Sequence, residues 1–493
     1  MQTKVAPVRQ LSSLDVQFLL DSDRNYGHVG SIAVLDPKTA DGEFTVERLR
    51  ELIMERIHLV PPFTSRLERV PFDLDWPYWV PDEHFDIGYH VRELALPKPG
   101  STEQLAEQVA RIYSRRLDKA RPLCELYLIH GLKGGRAAMV SKIHHAAVDG
   151  MSGGEIMSIL FDITPDPREV EPSDDIVATG LPSNAEMIGR ALKSLPKTPF
   201  RVADRLGRLL PYADVVPSVL GIPGTEHMSR TLSKFRQAVG IEDRTEVLVR
   251  PKFSPPRGAY DGLLSPHRIF GLGSVSLTDV KTIKNHFGVK VNDVVVTLVS
   301  AALREHMLLH DILPERPLVA QIPVSVRLED EFGTFGNQIS VMFVPIPTHL
   351  ENIVDQLYAA VDELADAKER HHALPAKALR DVTQFIPPAL HQRASRAMFG
   401  LARLGISPPY NVVISNVPGP PIDIYSAGAR LEALYPLSII IDRAAINVTV
   451  MSYRDSIDIG ITADREQTPD VQVMIEGMQR ATKQLLSVAR KKK

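Results

Sequence analysis

Cysteine is almost missing from this chain: Cys124 is the only one in 493 residues. A single thiol excludes an intramolecular disulfide framework and any paired-cysteine metal site. The setting it suggests is reducing and intracellular. An excess of either charge is lacking too, since 57 basic and 60 acidic residues leave a net charge of -3. That balance gives no reason to expect a nucleic-acid partner. Long apolar runs are also absent. The best stretch, "LYPLSIIIDRAAINVTVMSY" (434–453), is broken by Asp442 and Arg443, whereas crossing a bilayer takes roughly 20 apolar residues. The first residues, "MQTKVAPVRQLSSLDVQFLLDSD", hold no apolar core of the signal-peptide kind. The expectation is a cytoplasmic protein that does not span a membrane.

What is present is an ordinary globular composition, 44% hydrophobic and 24% charged. The length calls for two domains. Residues 1–185 mix helices and strands. "TVERLRELIMERIHLV" (45–60) has a helical stripe at Leu49, Leu52, Ile53 and Ile57, stopped by Pro61-Pro62. "TEQLAEQVARIYSRRLD" (102–118) reads as an amphipathic helix with Thr102 as its N-cap. "CELYLIHGL" and "RAAMVSKIHHA" read as strands joined by "KGG", and "GMSGGEIMSILFDI" as a short helix after them.

Residues 186–265 are rich in proline and weak in periodicity, apart from one helical piece. That piece carries Arg190, Lys193, Lys197, Arg201, Arg205 and Arg208 against Glu186 and Asp204. The region reads as an interdomain crossover. Residues 266–493 form the second domain. Helices are expected at "SLTDVKTIKNHFG", "VNDVVVTLVSAALREHMLLH" and "NIVDQLYAAVDELADAKERHH", and at the C-terminal "VQVMIEGMQRATKQLLSVAR". Strands are expected at "PLVAQIPVSVR", "YNVVISNVPG", "LSIII", "INVTVMSY" and "SIDIGITAD". The fold class is α/β with a mixed sheet in each half.

The stretch with the most chemistry is "SKIHHAAVDG" (141–150), where a strand runs out. Adjacent histidines on a strand point to opposite faces, so His144 and His145 are poorly placed to hold one metal ion. A nucleophilic triad would need a serine or activated cysteine beside the histidine; Ser141 is a strand residue and Cys124 shows no sign of activation. Two readings remain open on spacing alone. One is a satisfied histidine pair at a strand end, with Asp149-Gly150 making the turn. The other is general-base catalysis by one histidine, with the second facing the core and the aspartate bracing the loop.

HHxxxDG is also the signature of the CoA-dependent acyltransferase superfamily, whose fold is the two-domain chloramphenicol acetyltransferase-like one. Over nearly its whole length this chain resembles the bacterial wax ester synthase/diacylglycerol acyltransferase family. "LSSLDVQFLLD", "HVGSIAVLD", "VPPFTSRL", "LDKARPLCELYLIHGLKGGRAAMVSKIHHAAVDG", "VNDVVVTLVSAALR", "IPVSVR", "FGNQIS", "SNVPGPP" and "ADREQTPD" follow that family's order. The resemblance implies that His145 is the catalytic base, that His144 and Asp149 support its loop, and that Gly150 lets the chain turn beside the substrate channel.

Arg327 is a candidate partner for Asp149, or a solvent-facing strand-end residue. Asn292 reads as the cap of the following helix, with Asp293 in its first turn; the resemblance adds a place near the active site for both. Asn337 and Ser340 are candidates for lining the channel, or serve a backbone turn. One departure stands out. The family's usual Pro-Leu-Trp is Pro122-Leu123-Cys124 here, which either enlarges a pocket or is repacked.

The implied reaction esterifies diacylglycerol, or a long-chain alcohol, from long-chain acyl-CoA. Acyl-CoA is then a substrate, and no cofactor or metal is expected. Substrates of this kind place the protein at a membrane or lipid-droplet surface. The basic stretch 186–210 either lies in that interface or is an ordinary crossover helix packed on the domains. The terminal "ARKKK" either adds attraction to anionic lipid or is a solvated end. The rival readings are a condensation-type enzyme using carrier-bound acyl groups, and a lipid-binding protein that has lost activity.

Overall fold

The computed structural model describes residues 8–11, 13–19, 22–148, 153–171, 182–194, 255–325, 339–372, 402–403, 405 and 407–491. Its strands are β1 (Arg9–Gln10), β2 (His28–Asp36), β3 (Ser65–Glu68), β4 (Tyr78–Pro81), β5 (Val91–Ala95), β6 (Cys124–Leu132), β7 (Arg136–His144) and β8 (Arg268–Ser276). There follow β9 (Leu318–Ser325), β10 (Ile339–Ile346), β11 (Val412–Val417), β12 (Tyr425–Ser426), β13 (Ala429–Leu437), β14 (Ile446–Tyr453) and β15 (Ser456–Asp464). The α-helices are α1 (Ser13–Phe18), α2 (Val46–Arg56), α3 (Ile87–His90), α4 (Thr102–Tyr113), α5 (His145–Val148), α6 (Gly153–Leu160) and α7 (Asn184–Ser194). The later ones are α8 (Leu277–Phe287), α9 (Val291–Leu309), α10 (Ile353–His372) and α11 (Gln472–Arg490).

Two six-stranded sheets organise the molecule, in the orders β12-β13-β2-β7-β6-β5 and β10-β9-β11-β14-β15-β8. Both are mixed. In the first, only β5 and β6 run parallel; in the second, β11 is parallel to both of its neighbours. A small sheet, β1-β4-β3, stands apart. The first sheet takes β12 and β13 from late in the chain, so its closure waits on residues about 400 positions from β2.

Local chemistry sets the element ends. The Thr45 side chain accepts from Arg48 N–H to start α2. Helix α4 starts from Ser101 instead of Thr102, because Ser101 and Gln104 satisfy each other's backbone N–H groups. Gly288, at φ 69°, ends α8 in the left-handed conformation. The β6–β7 turn uses Gly134 and Gly135, both at positive φ. No strand forms at "LSIII": β13 has ended at Leu437, and Ile440 packs in a small cluster with Leu264 and Ala445.

One core fills the second half, where Val294, Leu298 and Ala302 of α9 meet Ile446 and Val448 of β14 and Met474 and Met478 of α11. Another lies under the first sheet, where Leu49 and Ile53 of α2 meet Leu35, Leu128 and Met139. The halves join through a third cluster, in which Phe270 and Leu272 of β8 pack with Ile32, Tyr113 and Leu437. Among the described residues no single helix is long and apolar enough to cross a membrane. The pair α8 and α9 passes on composition but is bent by 106°, and most of α9 is buried in the second core.

Candidate active site

Strand β7 delivers the two histidines and ends between them. His144 is its last residue and is fully buried, opposite His28 of β2. The Ala146 backbone N–H donates to His144 Nδ1 at 3.2 Å. An amide can only donate, so Nδ1 is unprotonated and a neutral His144 carries its proton on Nε2. His144 thus satisfies one of the open N–H groups at the start of α5. Its own backbone N–H donates to the Leu123 carbonyl at 2.9 Å.

His145 opens α5, and its backbone N–H donates to the Gly27 carbonyl at 2.7 Å. Gly27 has no room for a side chain. A Cβ there would lie 2.8 Å from the Phe18 carbonyl oxygen and 2.9 Å from His144 Nε2.

The His145 ring is half-buried and stacks on Phe18 of α1, with centroids 3.7 Å apart and planes at 17°. Its Nδ1 is buried and has no hydrogen-bond partner among the described residues. Such a nitrogen is costly in a core and calls for an explanation. Burial is the main cause that pushes the His145 pKa down to about 4, with the neighbouring His144 ring next. Its own backbone carbonyl and the Asp15 carboxylate act weakly in the opposite direction. His145 is therefore a neutral imidazole at physiological pH.

His144 lies in the core and His145 at a partly open position. Asp149, Gly150, Arg327 and Asn337 lie outside the described residues, as does the side chain of Ser340 in β10. Asn292 does not cap α9, as the sequence suggested; Lys290 holds that position. Asn292 sits in the first turn, where its Oδ1 accepts from Asn416 Nδ2 of β11 at 3.4 Å. Asp293 takes over the capping role, with Oδ2 accepting from Lys290 N–H at 2.8 Å. These two residues make their hydrogen bonds inside the second half, whereas His145 and its neighbours belong to the first.

Phe18, Gly27 and Asp15 were not singled out by sequence. They lie more than a hundred positions from His145, and only the β2–β7 pairing and the packing of α1 on α5 bring them close.

Cys124 is buried where the family's tryptophan would stand. It pairs with Ile143 across β6–β7, and its carbonyl accepts from His90 Nδ1 at 2.7 Å. Burial pushes its thiol pKa up to about 12. The position is repacked with His90 and Phe63. Because the thiolate is the reactive form, native protein should leave Cys124 unlabelled by a disulfide reagent at pH 8 over an hour. Labelling should be complete in denaturant; fast labelling of native protein would show that the packed arrangement opens.

Two mixed sheets, a strand-end histidine pair and a neutral, half-buried imidazole define an acyltransferase of the HHxxxDG type. A model of the wax ester synthase/diacylglycerol acyltransferase catalytic domain matches residues 11–295, and one of the WS/DGAT C-terminal domain matches residues 335–486. The chain belongs to this family.

A putative diacylglycerol O-acyltransferase of Mycobacterium tuberculosis H37Rv is 32% identical over 484 residues, covering 98% of this chain and 91% of that one. A probable one from the same strain is 29% identical over 477 residues, covering 96% and 97%. Among solved structures, the wax ester synthase/diacylglycerol acyltransferase of Marinobacter aquaeolei VT8 matches with a TM-score of 0.67 and 28% identity, covering 98% of this chain and all of that one. The first condensation domain of the CDA synthetase shares the fold, with a TM-score of 0.53 and 13% identity, covering 98% and 97%.

Proposed function

We propose that this acyltransferase moves a long-chain acyl group from CoA to the free hydroxyl of diacylglycerol, giving triacylglycerol, and accepts long-chain alcohols less well. The mycobacterial relatives named for diacylglycerol support the acceptor. The Marinobacter enzyme, named for wax esters as well, supports the second one. The observation that carries the mechanism is His145, a neutral imidazole with a buried Nδ1 that no described residue satisfies.

His145 accepts the acceptor's hydroxyl proton as the oxygen attacks the thioester carbonyl. The tetrahedral intermediate then collapses, the C–S bond breaks, and the imidazolium returns the proton to the departing CoA sulfur. An imidazolium of depressed pKa is a willing acid in that second half. A thioester is already activated, so the reaction needs no covalent enzyme intermediate.

Substrates dissolved in a bilayer require contact with its surface. In α7, Met187 and Ala191 pack on Val70, Tyr78 and Val80 of the small sheet and its flank. Arg190, Leu192 and Lys193 remain exposed, a basic and apolar edge suited to an anionic interface. The remaining basic residues of this stretch lie outside the described residues.

The test is CoA-thiol release from palmitoyl-CoA by purified protein, with diacylglycerol or hexadecanol presented in neutral or anionic vesicles. The expected result is acceptor-dependent release, greater with diacylglycerol and greater on anionic vesicles. Release without any acceptor would replace the proposal with thioester hydrolysis.

A further inference from the structure

A second cluster of histidines belongs to the second half of the molecule. Helix α9 ends in His306-x-x-x-His310, a spacing that stacks the two side chains on one face. Asp470, just before α11, faces them both. Its Oδ1 is 3.0 Å from His306 Nε2, and its Oδ2 is 2.9 Å from His310 Nε2. The ligand atoms of the three residues all lie within 4.8 Å of one another. The imidazole centroids are 4.5 Å apart.

The other side of His306 is also held. The hydroxyl of the buried Tyr260 lies 2.9 Å from its Nδ1. The Asp470 carboxylate can only accept, so here Nε2 carries the proton and the Tyr260 hydroxyl donates to Nδ1. With a cation bound, Nε2 gives up that proton and the hydroxyl turns to accept from Nδ1–H, the arrangement by which metal-bound histidines are oriented. Tyr260 holds this position at φ 60°, a conformation costly for a bulky side chain.

We propose that His306, His310 and Asp470 form a three-ligand site for a divalent transition-metal cation, zinc fitting best, which clips the end of α9 to the start of α11. Two imidazoles and one carboxylate suit a borderline cation, whereas calcium and magnesium prefer oxygen ligands throughout. Zinc bonds of about 2.0–2.2 Å in a tetrahedron set the ligand atoms roughly 3.3–3.5 Å apart. The two imidazoles lie 2.9 and 3.0 Å from different oxygens of the carboxylate, so a bound cation would spread these contacts by a few tenths of an ångström. His310 is exposed and free to rotate the remaining distance. The site also lies at the C-terminal, negative end of the α9 dipole, which favours a cation.

Asn292 begins the same helix, about 27 Å from His310 at 1.5 Å per residue. The clip therefore acts on the packing of α9 against α11 in the second half. The H-x-x-x-H spacing was visible in the sequence. The aspartate 160 positions further on was not recognisable as its partner.

The test uses full-length, untagged protein stripped with a chelator and titrated with zinc chloride by calorimetry. One equivalent should bind with micromolar or tighter affinity. His310→Ala replaces an exposed side chain and should fold normally, yet bind zinc at least about 10- to 100-fold more weakly. Zinc should raise the Tm of the wild-type protein and not that of the variant. The absence of stoichiometric binding to the wild-type protein would overturn the proposal, leaving a hydrogen-bonded clamp. Undiminished binding to His310→Ala would overturn it by placing the cation elsewhere.

Discussion

Replacing His145 with alanine is expected to lower acyl transfer about 100- to 10,000-fold, the usual contribution of a positioned general base. The fold should survive. The side chain is half-buried, and its Nδ1 surrenders no hydrogen bond to a described residue. His144→Ala is a different experiment, because it removes the acceptor for the Ala146 N–H and empties a fully buried position. That variant should lose thermal stability as well as activity. CoA-thiol release with palmitoyl-CoA and diacylglycerol, alongside circular-dichroism melting, separates the two. A folded His145→Ala protein that kept more than about a tenth of its activity would remove His145 from the mechanism.

The pH dependence follows from the same environment. A protonated imidazole cannot accept the acceptor's proton, so activity requires the neutral form. With burial holding the pKa at about 4, kcat/KM should stay level on the acid side down to about pH 5 and fall as the pH passes through 4. An ordinary histidine would begin to fail near pH 6.5. The sign for stability is the same. As the pH drops below about 6.5, the unfolded chain takes up a proton that native His145 declines, so stability falls. This contribution is complete above pH 6.5 and is lost between there and about pH 4. A kcat/KM profile with an acid limb centred near 6.5 would show a solvated imidazole instead.

How much of this was legible in the sequence varied with the range of the interactions. Strands β14 and β15 were readable because segments of largely alternating apolar and polar residues, Ile446–Tyr453 and Ser456–Asp464, lie on either side of a short turn. Helix α8 was readable because Gly288 ends it. Strand β13 was missed. Glu432 and Pro436 interrupt its pattern, and its partner is β2, about 400 residues away. The apolar "LSIII" looked more like a strand than "ARLEALYPL" did, yet its isoleucines serve side-chain packing without a ladder.

The same limit applies at the site. His144 and His145 announced themselves by motif, but the strand expected to carry both ends at His144, and His145 is placed by the start of α5. What lowers the His145 pKa is burial beside His144, and its stacking partner Phe18 comes from a distant helix. No local spacing encodes either. The Asn292 cap failed for a subtler reason: an asparagine before a helical run is a good cap, but Asp293 satisfied the Lys290 N–H first and shifted the start of the helix.

Asp162→Ala is expected to cost about 3–5 kcal/mol of stability, because it strands a charge in the core. Arg56 of α2 is fully buried, and its Nη2 donates to Asp162 Oδ1 and Oδ2 at 3.0 and 2.9 Å. Its Nη1 donates to the Ile159 carbonyl at 3.2 Å, at the end of α6. Asp162 also accepts from the Arg168 N–H, and its backbone bridges to Tyr425 beside β13. One ion pair therefore ties together α2, the helix that follows the histidine motif, and the late strands that complete the first sheet.

Removing both charges should cost much less than the sum of the single changes, since an apolar pair of similar size carries no desolvation penalty. Urea denaturation of Arg56→Met, Asp162→Leu and the double variant measures this coupling. Additive effects would mean that the two side chains contribute separately. Strong coupling would mean that α6 is tied to α2 by a single buried contact.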